Sequence, residues 1–284
     1  MIPAAFDYAA PTSVDEAVRV FAEAGEDAKV LAGGQSLMPV LRMRLAAPDK
    51  VIDLNRIDEL RGVWDAGDAL EIGAMTTHHE MQRNQLVQDH AQLLAKATET
   101  VADPQVRHRG TFGGSLAHAD PAGDLLAPAL ALDTEMVIAG PHGQRTVPAS
   151  EFFSDFFTTD LYEGELLVRV RVPKYTAWQA HYEKFNRVAQ AWSMVAVAAT
   201  VRTEGGSITE ARVGLTNMDT VPRRAHSVER ALVGASATPD AIRSAAALAA
   251  EGTNPPTDAN GDVAYRQHLA QVLTGRAVSA AVTA

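Results

Sequence analysis

Leu31-Ala32-Gly33-Gly34-Gln35-Ser36-Leu37 and Thr111-Phe112-Gly113-Gly114-Ser115 are the two stretches on which the reading of this chain turns. Each carries a glycine pair followed by a hydroxyl residue, and the first pair follows a strand-like run, Ala28-Lys29-Val30-Leu31-Ala32. Paired glycines let backbone N–H groups converge without β-carbons in the way, which suits them to cradle an anion. Taken singly, either pair reads first as a tight turn, because Gly-Gly mainly punctuates a chain. Taken together, two such segments could hold a pyrophosphate between them. Neither matches the Gly-x-Gly-x-x-Gly dinucleotide fingerprint, and neither ends in the Gly-Lys-Ser/Thr of a nucleoside triphosphate loop. A Rossmann dehydrogenase and a P-loop enzyme are therefore poor fits.

Working outward, Ser13-Val14-Asp15-Glu16 has capping-box spacing and opens a helix expected over 13–24. Ser36 to Leu45 has helical composition, and Val51-Ile52-Asp53-Leu54 reads as a strand, which completes a compact β-turn-α-β unit. Short strands are expected over 62–65 and 69–74, with Gly67-Asp68 as the turn. Thr77-His78-His79-Glu80 repeats the capping-box pattern, a helix is expected over 85–101, and Asp120-Pro121 should open another over 122–132. A hairpin over 134–147 and a strand over 166–172 follow, and Tyr175-Thr176-Ala177 is the expected domain boundary. Beyond it come three strands, over 179–187, 193–202 and 208–215, then helices. One of these is capped by Thr238-Pro239, and an amphipathic helix is expected over 262–284. The fold class is α+β, with residues 1–175 as one domain (subdomains 1–57 and 58–175) and 176–284 as a second.

Of the 284 residues 46% are apolar and 21% charged, which is enough to bury a substantial core. A formal net charge of −10 argues against a nucleic-acid partner. No apolar run is long enough to span a bilayer, and Met1 to Asp7 lacks the parts of a signal peptide, so a cytoplasmic location is expected. The chain contains no cysteine. It cannot itself hold an ordinary iron–sulfur cluster, a disulfide, a cysteine-linked flavin or a thiol nucleophile, so any such centre must lie on another chain.

The ordered runs Leu31 to Pro39, Ile72-Gly73-Ala74-Met75-Thr76-Thr77, Ala102 to Ser115, Asp120-Pro121 and Gly214-Leu215-Thr216-Asn217 resemble the FAD-binding medium subunits of molybdenum hydroxylases. Within that family, whose flavoproteins extend to xanthine dehydrogenase, the likeness is greatest to aerobic carbon monoxide dehydrogenases, and it covers essentially the whole chain. It implies a two-subdomain FAD-binding domain of the vanillyl-alcohol-oxidase type, followed by a C-terminal domain of three strands and helices. It also implies partners: a large subunit with a molybdopterin-type molybdenum cofactor and a small subunit with two [2Fe-2S] clusters, pairing as a dimer of heterotrimers. This chain's FAD would pass electrons from those clusters to an external acceptor, the substrate being carbon monoxide, an N-heterocycle or an aldehyde.

Residue by residue, the resemblance places Ala32, Gly33, Gly34, Gln35, Ser36 and Leu37 along one side of the pyrophosphate, with Thr111, Gly113, Gly114 and Ser115 along the other. Asp124 matches a carboxylate that accepts from cofactor hydroxyls, though a charge in the first turn of a helix opened at Asp120 would look the same. Lys184 matches a cation near the flavin, where strand lysines are ordinarily solvated. Leu161, Val101, His118, Asp120 and Trp192 complete the expected cofactor-binding set. Trp192 stands where a tyrosine is usual in carbon monoxide dehydrogenases. Gln35 stands where the family frequently has histidine and Ser115 where it has asparagine or aspartate, and these departures fit relatives that hydroxylate N-heterocycles or other organic substrates at least as well as they fit a carbon monoxide enzyme. No catalytic residue and no metal ligand is assigned to this chain. Adjacent His78 and His79 would point to different faces of a helix, and Asp53 with Asp58, or Asp219 with Glu229, lack acid–base spacing. A free-standing flavin oxidase or reductase of the same fold, and a scaffold without FAD, remain as alternatives.

Overall fold

A computed structural model describes residues 2–284. Near the N-terminus, strands Asp7–Ala9, Lys50–Asp53 and Ala28–Leu31 form a small parallel sheet with Lys50–Asp53 in the centre. Its first strand is too short and too exposed to show an alternating pattern, so the sequence did not disclose it. Helix Val14–Ala24 packs Ala17 and Val18 onto this sheet. Its cap works as expected on one side only. Ser13 accepts from the Glu16 N–H, but the Glu16 carboxylate accepts from the Thr12 N–H and hydroxyl, not from Ser13.

The second sheet is antiparallel, with strands Val63–Asp65, Ala69–Gly73, Leu166–Pro173, Glu135–Gly140 and Gly143–Pro148 in spatial order. Three expected helices change here. The helix at 36–45 is shorter, Leu37–Arg42. The single helix over 85–101 is two, Gln85–His90 and Gln92–Glu99, broken at Ala91 (φ −140°, ψ 46°). A separate helix His78–Arg83 precedes them, and Asn84 ends it by taking an extended conformation and capping the Leu86 and Val87 N–H groups. The Thr77–Glu80 capping box is complete.

The third change bears on the site. Asp120 does accept from the Ala122 N–H at 2.9 Å, but the turn does not propagate, and the helix runs only over Leu126–Ala131. Tertiary bonds to the Asp124 side chain hold the intervening residues out of helical register. Starting late also leaves Pro128 in the first turn, where a missing N–H costs little.

The third sheet has strands Gln179–Phe185, Val195–Glu204, Ser207–Thr216 and the short Arg223–Arg224, the last unforeseen. Its second strand is buried on both faces. Ala196 and Ala198 join the core shared with helices Gln92–Glu99 and Leu126–Ala131. Val195, Val197, Ala199 and Val201 join a second core, under helices Pro239–Ala246 and Val263–Val282. Alanines on the first face allow close approach. The last helix is capped by Asp262, which accepts from the Tyr265 N–H, whereas Thr238 makes no capping bond and Pro239 alone marks its helix start. Among the described residues no helix is long and apolar enough to cross a membrane.

Candidate functional site

The strand Ala28–Leu31 delivers the chain into Ala32-Gly33-Gly34, and Gly34 takes φ +74°, a left-handed conformation suited to glycine. Gly33 meets a different demand. A β-carbon there would run into the Arg109 carbonyl and lie 2.8 Å from Gly110 Cα, so the first glycine segment lies directly on the chain leading to the second. From Gly33 to Leu37 the backbone N–H groups have no acceptor among the described residues, and the Ser36 hydroxyl makes no capping bond. A run of unpaired, half-exposed donors is a cradle for an anion.

The second segment is no loop. Gly113 and Gly114 lie in the first turn of helix Phe112–His118, capped by the Thr111 hydroxyl, which accepts from the Gly114 N–H at 3.2 Å. Its start is pinned from the neighbouring Ala74-Met75-Thr76-Thr77 segment. Phe112 N–H donates to Thr76 O at 3.0 Å, Gly113 N–H to Ala74 O at 2.9 Å, and His78 N–H to Gly110 O at 2.9 Å. A β-carbon on Gly114 would sit 3.2 Å from Ala32 Cβ, so the two glycine segments abut. These residues fit a diphosphate group: backbone donors without acceptors on one side and, on the other, the positive end of a helix whose own first N–H groups are bonded and whose Gly113 and Gly114 present no side chain.

A buried polar cluster gathers on Asp124, six residues beyond the end of helix Phe112–His118 in the chain. Asp124, 5% exposed, accepts from Tyr182 Oη at 2.9 Å and Ser193 Oγ at 2.7 Å through one oxygen, and pairs with Lys184 Nζ at 2.7 Å through the other. Lys184 also donates to the Thr100 carbonyl at 3.1 Å. Burial pushes the Asp124 carboxyl up, against the pull of Lys184, and the buried Tyr182 phenol is raised well above its usual range beside that carboxylate. Neither alternative reading survives. Asp124 precedes the helix and is not a first-turn charge, and the Lys184 side chain, 7% exposed, is not solvated.

The remaining expected residues lie outside this cluster's hydrogen bonds. Val101 is half-buried against the main core, and its carbonyl accepts from Arg107 at 2.8 Å. His118 is half-buried with its ring 5.0 Å from that of Phe157, and burial lowers its pKa. Asp120 is engaged in its turn, and Leu161 packs at the core's edge. Trp192 is 58% exposed on the loop joining the first two strands of the third sheet. His78 is buried and held neutral, its pKa pushed down to about 4 by burial, while His79 stacks on His108 at 3.7 Å. Among the described residues no group of His, Asp and Glu is arranged to hold a metal.

Sequence reasoning missed Tyr182, Ser193, Asn55 and Arg61. Tyr182 had a signal, since strand alternation puts it on the same face as Lys184. Asn55 had a weaker one, two residues after Asp53 in an Asx-turn pattern that the structure realises.

Comparison with known proteins accords with this geometry. Residues 4–175 match the family described as FAD binding domain in molybdopterin dehydrogenase, and residues 180–281 match the CO dehydrogenase flavoprotein C-terminal domain. The carbon monoxide dehydrogenase medium chain of Hydrogenophaga pseudoflava is 40% identical over 99% of this chain and 98% of its own length. The glyceraldehyde dehydrogenase medium chain of Sulfolobus acidocaldarius is 34% identical over 98% of each. The solved structure of the Hydrogenophaga pseudoflava carbon monoxide dehydrogenase lacking the Mo-pyranopterin moiety of its molybdenum cofactor superposes with a TM-score of 0.96 at 42% identity, covering 100% of this chain and 99% of that one. The chain belongs to this family, as an FAD-binding medium subunit of molybdenum-containing oxidoreductases.

Proposed function

We propose that Ala32 to Leu37 and Thr111, Gly113, Gly114 and Ser115 grip the diphosphate of FAD, and that the flavin end extends toward the cluster built on Asp124 and Lys184. The run of unpaired N–H groups from Gly33 to Leu37 carries this reading, because a backbone cradle binds a diphosphate without a lysine. Bound FAD would supply a carrier able to exchange electrons singly or in pairs. The chain's own work is to hold and orient it. Lys184, pinned by Asp124 and Thr100, keeps a fixed cation near the flavin end, with Val101, His118, Asp120, Leu161 and Trp192 around it.

In this proposal the chain works with a large molybdenum subunit and a small subunit carrying two [2Fe-2S] clusters, in a dimer of heterotrimers, and passes electrons from those clusters to an external acceptor. The absence of cysteine from this chain supports that division of labour. Carbon monoxide, an aldehyde or an N-heterocycle would be oxidised on the large subunit, and the relatives named for carbon monoxide and for glyceraldehyde make the first two direct candidates. The boundary between the FAD-binding part and the C-terminal part is put at residues 175 and 176. Adding FAD to the purified chain should give a yellow 1:1 complex, and tagged co-purification should bring down chains that contain molybdenum and iron. A preparation that stays colourless with excess FAD refutes the reading.

A further inference from the structure

Two side chains, Asn55 and Arg61, link the two glycine segments through hydrogen bonds that the cradle does not itself supply. Asn55 lies in the turn after strand Lys50–Asp53. The Asp53 carboxylate accepts from the Asn55 N–H at 2.9 Å and from its Nδ2 at 2.6 Å, and Asp53 is itself anchored by the Tyr8 hydroxyl at 2.6 Å. So held, the amide turns Nδ2 to the Ala32 carbonyl, 3.1 Å away, and Oδ1 to Arg61 Nη2, 3.2 Å away. Arg61 continues across to the Met75 carbonyl through Nη1 at 3.2 Å. Met75 sits between Ala74 and Thr76, whose carbonyls accept from Gly113 and Phe112. An unbroken path therefore runs from Ala32, at the mouth of the first cradle, to the helix start that forms the second. Arg61 bonds only to neutral oxygens along it. The fold does not need this path, because Ile52, Leu54, Ile57, Leu60 and Met75 are buried beneath it in an apolar cluster.

We infer that Asn55 and Arg61 are positioning residues that set the spacing of the two glycine segments for the cofactor's diphosphate. The inference rests on the FAD reading above. Asn55 fixes the orientation of the Ala32 peptide, and Arg61, a planar fork, fixes the distance to the Met75 segment in a way that a single ammonium cannot.

The test uses the full chain and two probes that carry the diphosphate, FAD and ADP, titrated against intrinsic fluorescence, with the thermal transition of the FAD-free protein measured alongside. Asn55→Ala should weaken FAD and ADP by a similar factor, about five- to tenfold, the worth of one lost positioning hydrogen bond. Its thermal midpoint should stay near that of the parent, and saturating FAD should keep the parent's visible spectrum, since the flavin end is untouched. Arg61→Lys, which keeps the charge, should weaken both probes in the same direction and serves as the deciding variant if Asn55→Ala does not fold. Affinities within twofold of the parent in a folded variant overturn the inference, and so does a loss confined to FAD with ADP unaffected. A parent chain that binds neither probe refutes the FAD reading itself, an outcome distinct from either.

Discussion

Replacing Asp124 by Asn removes the countercharge from a lysine whose side chain is 7% exposed, and Lys184→Met does the reverse to a carboxylate whose side chain is 4% exposed. Breaking one side of a buried pair typically costs about 3–5 kcal/mol, because the remaining charge is left desolvated. The lower end applies here. Tyr182 and Ser193 still donate to a lone Asp124, and Asn at 124 still accepts from them. Each single variant should therefore lose about 3 kcal/mol, a fall in Tm of roughly 6–12 °C for a chain of this size. The double variant leaves no unpaired buried charge, so it should lose clearly less than the sum of the singles, with a coupling of about 2 kcal/mol or more. Urea unfolding of the parent and the three variants at neutral pH, monitored by circular dichroism, measures the cycle. Single variants that each lose under about 1 kcal/mol, or that add without coupling, would refute the claim that this pair is sealed from solvent.

Other consequences are equally open to measurement. Gly33→Ala puts a β-carbon into the Arg109 carbonyl, so it should weaken FAD binding at least about tenfold in a fluorescence titration, while the overall fold by circular dichroism persists. His78 has its pKa lowered in the folded state from 6.5 to about 4, so the unfolded chain binds the extra proton between those values. Its contribution is present above pH 6.5 and is lost as pH falls toward 4, amounting to about 3 kcal/mol at the limit. His78→Gln should accordingly flatten the decline in urea stability between pH 7 and 5 by up to about 2 kcal/mol, and an unchanged slope would contradict a buried neutral imidazole. Trp192→Phe should leave the Tm within about 2 °C, because the side chain is exposed, yet remove a large part of the tryptophan quenching expected on FAD addition.

Much of this fold was readable because local chemistry and tertiary structure agree. The Thr77 capping box, the hairpin across Gly143 and the strands at 28, 69, 166, 179 and 207 all fall where composition and periodicity put them. The failures share one cause, tertiary contacts overruling a local pattern. Asp120-Pro121 has the chemistry of a helix start, but Asp124 is drawn toward Tyr182, Ser193 and Lys184, and the helix waits until Leu126. Likewise, Gly113-Gly114 reads as a loop until Thr76 and Ala74 fix the preceding backbone and Thr111 caps the turn. The glycine segments of the candidate site were visible as motifs. The polar side chains that brace them and the Asp124 cluster were not, because Asn55, Arg61 and Ser193 are ordinary surface types whose roles arise mainly from partners distant in sequence.

Alternate residues of strand Val195–Glu204 serve two different interiors, one beneath the helices that lead to the site and one beneath the C-terminal helices. A scission before this strand would uncover the apolar core on which Ala196 and Ala198 pack, so the N-terminal portion expressed alone should clump or recruit chaperones. The two parts therefore share one structural wall, even though sequence comparison divides them in two.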